Sequence, residues 1–240
     1  MLSEIELLQQ LFDTRIDLEV VTNIRGTEKE AIFNKISDPQ YWINAADEGD
    51  GHVTPDFYNS EDKLMMDVMR ITDKEGKKGK NPDLARENRI SKELRKKLNL
   101  KDDIKIFVNA PDMTLSTEEH HSFKKYRHQS NRVISSHINE IPVYEKNHSN
   151  FDLVFYIYDE STLYYEYGKI QENKAECSIH FPWLDKNFMY KLMDSNVKYL
   201  LWYCPYKLHV PFPIAVFDLT KLSESELRTY DYSAMISGEK

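Results

Sequence analysis

The sequence predicts an α/β protein in which a mixed β-sheet is flanked by helices. Three observations carry that expectation. Short β-branched and aromatic runs, among them Phe151–Tyr158, Val197–Cys204 and Ile214–Asp218, have the length and composition of strands. Between them lie stretches whose apolar residues recur at helical spacing, as in Ser3–Asp13 and Asp83–Leu98. Two polar gaps of hairpin length, Tyr58–Asp62 and Asp159–Ser161, add antiparallel pairs, so the sheet is mixed rather than purely parallel.

The elements follow in order. Ser3 caps a first helix, with Glu6 three residues on completing a capping box and Ile5, Leu8, Leu11 and Phe12 on its apolar side. Thr27 opens a second helix that Pro39 ends. Asn44–Gly51 reads as a loop. His52–Phe57 and Lys63–Ile71 read as the strands of a first hairpin, followed by a basic loop over Thr72–Asn81 and a helix over Asp83–Leu98. Ile104–Asn109 is a short strand. A long helix runs from Thr117 to about Asn139, and Pro142 is expected to stop it. Phe151–Tyr158 and Thr162–Lys169 are expected to form a second hairpin, with Cys177–Phe181 as a third strand beside it. Asp185–Asp194 is a short helix. The almost wholly apolar Val197–Cys204 reads as a central strand, and the tail after Tyr230 as frayed. No internal repeat and no Pro-, Gly- or Ser-rich linker divides the chain. It reads as one domain over residues 1–240, with residues 1–40 packed on it as a helical appendage.

Composition excludes several classes. Apolar residues make up 40% of the 240, enough for a sizeable core, so a disordered chain is not expected. No apolar run approaches the roughly 20 residues of a membrane helix, and Met1–Glu6 has no signal-peptide character, so no membrane partner is expected. Cys177 and Cys204 both lie in apolar, strand-like surroundings, which points to buried free thiols and a cytoplasmic setting. The net charge of −8 gives no general attraction for nucleic acid. Residues 74–101, however, hold eleven Lys/Arg against four Asp/Glu, a local phosphate footprint in which Lys77, Lys78, Lys80, Arg86 and Arg89 are the candidate nucleic-acid contacts. Lys124, Lys125, Arg127 and Arg132 form a second, helical strip of the same kind.

The sharpest chemical signal is Pro55-Asp56 followed eleven residues later by Asp67. On adjacent strands the two carboxylates converge into a hard-oxygen site suited to Mg²⁺, and Glu30 on the preceding helix can add a third oxygen. Such an ion activates water and neutralises charge on a phosphodiester. Here the chain resembles the PD-(D/E)xK, or restriction-endonuclease-like, nuclease superfamily. The resemblance runs over roughly Thr27–Asn109: a helix, a hairpin carrying Pro55-Asp56, a strand carrying Asp67, then a helix and another strand. It implies a magnesium-dependent hydrolase acting on nucleic-acid phosphodiesters. Met69 stands where that family has its water-polarising lysine. Lys63, of the same strand parity as Asp67, is the candidate substitute, giving a catalytic set of Asp56, Asp67 and Lys63.

Other constellations are weaker. Asp159-Glu160 with Glu166 is ordinary turn chemistry beside a solvent-facing acid. His120, His121, His128 and His137 share one helix but lack zinc-site spacing. Phosphate loops, nucleophile elbows and a catalytic cysteine are absent from the sequence. The alternative function is a non-enzymatic module that binds a protein partner through Tyr156, Tyr158, Tyr164, Tyr165 and Tyr167.

Overall fold

A computed structural model describes residues 2–15, 18–45, 54–73, 97, 122–168, 177–207 and 213–238. The expected helix over Asp83–Leu98 (except for position 97), the strand over Ile104–Asn109, the five basic contacts from Lys77 to Arg89, His120 and His121 lie outside those residues.

The helices are α1 (Glu4–Thr14), α2 (Thr27–Ile36), α3 (Phe123–Asn147) and α4 (Lys186–Met193). The strands are β1 (Val20–Thr22), β2 (Ile43–Asn44), β3 (Phe57–Asn59), β4 (Leu64–Ile71), β5 (Asp152–Asp159), β6 (Tyr164–Tyr167), β7 (Cys177–Ile179), β8 (Val197–Tyr203), β9 (Ile214–Asp218) and β10 (Met235–Ser237). Seven of them form a mixed sheet in the order β1-β9-β8-β5-β4-β3-β2. Its centre is parallel, β4 to β5 to β8, and β3 and β9 run antiparallel on either side. The expected α/β class is therefore the observed one.

Burial on both faces explains why the central strands are nearly continuous apolar runs. Met65, Met69, Ile71, Phe155, Ile157, Leu200 and Trp202 face α3 and α4. The alternate residues Met66, Val68, Val154, Tyr156, Tyr158, Leu201 and Tyr203 face Leu7, Leu8 and Leu11 of α1 and Ile36 of α2. The period of two along each strand thus sorts side chains into two cores. The N-terminal stretch read as an appendage is one of these layers, and β1, between its two helices, pairs with β9 in the main sheet. Ser3 caps α1 as expected, its N–H donating to Glu6 at 2.9 Å. The N-cap of α2 is Gly26, at φ +66°, one residue before the expected Thr27.

The first hairpin forms, with its strand ends displaced. Phe57 pairs with Met66, Tyr58 with Met65 and Asn59 with Leu64, so Tyr58 and Asn59 belong to the strand rather than the turn. The Asn59 side chain takes the N–H groups of Glu61 and Asp62, an Asx-type turn. Val197–Cys204 is central as expected, and Cys204 is a buried free thiol whose pKa burial pushes up.

Three expectations fail for identifiable reasons. The second hairpin does not exist: β5 is a central parallel strand, while β6 pairs with β7 and β10 in a separate three-stranded sheet. Asp159, Glu160 and Ser161 look like a turn because short polar residues also end strands. The tail is not frayed, since β10 pairs with β6 and the N–H of Gly238 donates to Leu163 at 2.7 Å. Pro142 does not stop α3 but sits inside it. Its missing N–H leaves the Ile138 carbonyl without that helical bond, and burial of Ile141 and Tyr144 on the following turn offsets the loss. Pro142→Ala is expected to raise stability by about 1–3 kcal/mol, since an interior proline costs about 3 kcal/mol. Urea unfolding checks this.

The tyrosines offered as a binding surface are largely core. Tyr156, Tyr158 and Tyr164 are buried, their hydroxyls donating to the Leu7 carbonyl, the Gln10 amide oxygen and Asp73. Tyr167 is the exposed member. No helix among the described residues is long and apolar enough to cross a membrane.

Candidate metal centre

Asp56 and Asp67 come together. Asp56 lies one residue before β3, and its carbonyl accepts the N–H of Ala45 at 2.9 Å. Backbone pairing between β3 and β4 ends at Phe57, and the next outward N–H on β4, that of Val68, donates to the Asp56 carboxylate at 2.7 Å. That bond turns the Asp56 side chain over β4, close enough for the charge of Asp67 to act on it. Asp67 is 3% exposed and shares the strand face of Met65 and Met69, towards α3.

The pair is electrostatically unfavourable with both groups ionised. Burial pushes the Asp56 pKa up to about 7, the Asp67 charge adds to the rise, and the Val68 N–H opposes it. Glu4, in the first turn of α1, also raises it, so the acid from the helical layer that acts on Asp56 is Glu4. Glu30, the sequence candidate for that place, is exposed on α2. Among the described residues no three His, Cys, Asp or Glu side chains are grouped to hold a metal ion. The three-carboxylate site expected from Glu30, Asp56 and Asp67 is therefore not assembled, although its two central members are.

Lys63 has φ +51° in the hairpin turn, outside β4, and is exposed. A left-handed residue breaks the alternation, so the parity argument linking it to Asp67 does not apply. Met69 is buried in the core.

The side chain that reaches Asp67 is His137, from the middle of α3. Its Nδ1 lies 2.6 Å from Asp67 Oδ2. Burial alone would lower its pKa, but the bond to Asp67 and the charges of Asp67, Glu140 and Asp56 raise it. One turn on, Glu140 accepts a hydrogen bond from the buried Tyr144 hydroxyl at 2.7 Å. Sequence reasoning noted His137 only as one of four histidines on a helix. Its partner is 70 positions away, so only the β4–α3–β5 crossover reveals the link.

A second polar cluster lies at the carboxyl ends of β5 and β8. Asp159 is fully buried and accepts from the Tyr126 hydroxyl at 2.7 Å, the Trp202 indole at 3.1 Å and the Ser161 N–H at 2.9 Å. Lys207 Nζ stands 3.5 Å from it and donates to Ser161 Oγ at 2.9 Å. Burial opposes both charges, yet the pair holds Asp159 below its usual range and Lys207 above its own. A lysine kept charged is no base, and this cluster reads as structural. Glu160 pairs with Arg70, and Glu166 accepts the Asp231 N–H at 2.6 Å, so the acids grouped with Asp159 in the sequence serve separate ends. A cleft of about 430 Å³ lined by Thr22, Arg25, Glu28 and Lys221 lies at the β1 edge, across the sheet from the carboxylate pair, and its Lys221 is already paired with Glu28 and Asp218.

Compared with protein-family models, with curated proteins and with solved structures, the chain matches none.

Proposed function

We propose that Asp56 and Asp67 form the cation site of a nuclease-like, metal-dependent phosphodiesterase. The observation that supports this most is their convergence: the buried Asp67 and the half-buried Asp56 approach each other beside β4 at a cost that a proton or a cation relieves. Two carboxylates with water in the remaining positions suit Mg²⁺, which binds through few protein ligands and keeps much of its hydration. The helix, hairpin and strand that open the resemblance correspond to α2, β3 and β4, and the helix and strand that complete it, over Asp83–Asn109, lie outside the described residues apart from position 97.

Bound there, the ion would supply charge neutralisation on a phosphodiester and a more acidic water. The chain's own part is to hold the carboxylates. The Val68 N–H fixes Asp56, and His137 fixes Asp67. Met69 leaves the site without the superfamily's lysine, so slow turnover is expected.

The test is cleavage of single- and double-stranded DNA and RNA with Mg²⁺, Mn²⁺ or chelator. Asp67→Asn is expected to lower the rate by at least about 10²-fold, since metal assistance contributes several kcal/mol and each 1.4 kcal/mol is tenfold. Chelator should abolish it. Activity unchanged by the substitution sinks the proposal.

A further inference from the structure

We infer that His137 is a positioning residue for the cation site, orienting Asp67 rather than touching the reacting atoms. The inference rests on the cation-site reading given above and adds to it the residue that presents the ligand. An ionised carboxylate only accepts hydrogen bonds, so in the 2.6 Å contact the hydrogen sits on Nδ1 of His137. Oδ2 of Asp67 is thereby engaged from the α3 side. The carboxylate is pinned in one rotamer, with its remaining lone pairs left for Asp56 and a shared cation.

The imidazole is largely enclosed. His137 is three-quarters buried as a side chain, and Asp67 almost fully so. Glu140 and Tyr144 are bonded to each other on the same inner side of α3, and Tyr144 is buried against the core. Groups that hold metal ligands in this way are worth about 10–100-fold in metal affinity when removed.

The experiment compares His137→Asn with His137→Gln. Asparagine places an N–H donor near the Nδ1 position, whereas glutamine carries its amide on towards Nε2 and past Asp67. Both are polar, and melting in chelator establishes that both are folded. The readout is Mn²⁺ affinity by calorimetry. His137→Asn is expected to bind within a few-fold of wild type, and His137→Gln about tenfold or more weaker. Equal affinity for all three proteins overturns the positioning role and leaves the cation site standing. Equal weakening of both variants overturns it too, because the Nδ1 donor is then not what matters. A wild-type protein that binds neither Mn²⁺ nor Mg²⁺ overturns the cation site and, with it, this inference.

Discussion

Asp56→Asn is expected to melt at a higher temperature than wild type in chelator at pH 8. The reasoning runs from the raised pKa of Asp56, about 7 against an ordinary 3.8. A carboxyl group whose folded pKa is raised binds more protons in the folded state. Its contribution to stability is fully present below pH 3.8 and is lost as pH rises through about 7. Above that range the ionised pair costs stability, on the order of 2–4 kcal/mol at 1.36 kcal/mol per pKa unit. Asparagine removes the charge, keeps an oxygen for the Val68 N–H, and offers its own N–H to Asp67. Stability should therefore rise at pH 8, change little at pH 4, and lose its fall between those values. Thermal melts across pH check this. A lower melting temperature at pH 8 would mean that the pair is not the strained feature described here. A stabilising loss of charge also fits a functional site, where proteins hold groups that stability alone would not select.

Lys207→Met is expected to destabilise the protein by about 3–5 kcal/mol, the usual cost of removing one partner from a buried ion pair. Methionine matches the stem's volume, so the loss would report the charge left on Asp159, which has no exposure. Adding Asp159→Asn should restore part of that stability, because an amide oxygen at the Oδ2 position still accepts from Tyr126 and Trp202 while the amide NH2 gives up the bond from the Ser161 N–H. The signs on pH are fixed by the shifts. The contribution of Asp159, with its depressed pKa, is present above pH 3.8 and lost as pH falls through the folded value. That of Lys207, with its raised pKa, is present below pH 10.5 and lost as pH rises through its own. Urea unfolding of the single and double variants measures the coupling. Additive losses would show that the pair does not act as one unit.

The parts of this structure legible in the sequence were those encoded locally. Strand-type runs on either side of Tyr58–Asp62 specified the hairpin, and with it the approach of Asp56 to Asp67. The apolar run of β8 specified a central strand. What escaped depends on contacts far apart in the chain. Asp159-Glu160-Ser161 has the composition of a turn, and only Lys207, 48 positions from Asp159, makes it a buried strand end. The tyrosines of β5 and β6 offered a binding surface because clustered tyrosines suit interfaces, yet the hydroxyls of Tyr156, Tyr158 and Tyr164 find partners in α1 and beside β4. Glu30 was the acid that spacing offered as a third ligand, whereas the packing of α1 brings Glu4 to bear on Asp56, which the sequence reading did not consider. Pro142 followed a rule about isolated helices that a well-packed face overrides.

The most direct test of the central claim is calorimetric titration of Mg²⁺ and Mn²⁺ into wild type and Asp67→Asn at pH 7.5. The account calls for one site in the wild type, proton release as Asp56 ionises on binding, and loss of that site in the variant. Cation binding that is absent in both, or equal in both, would contradict it.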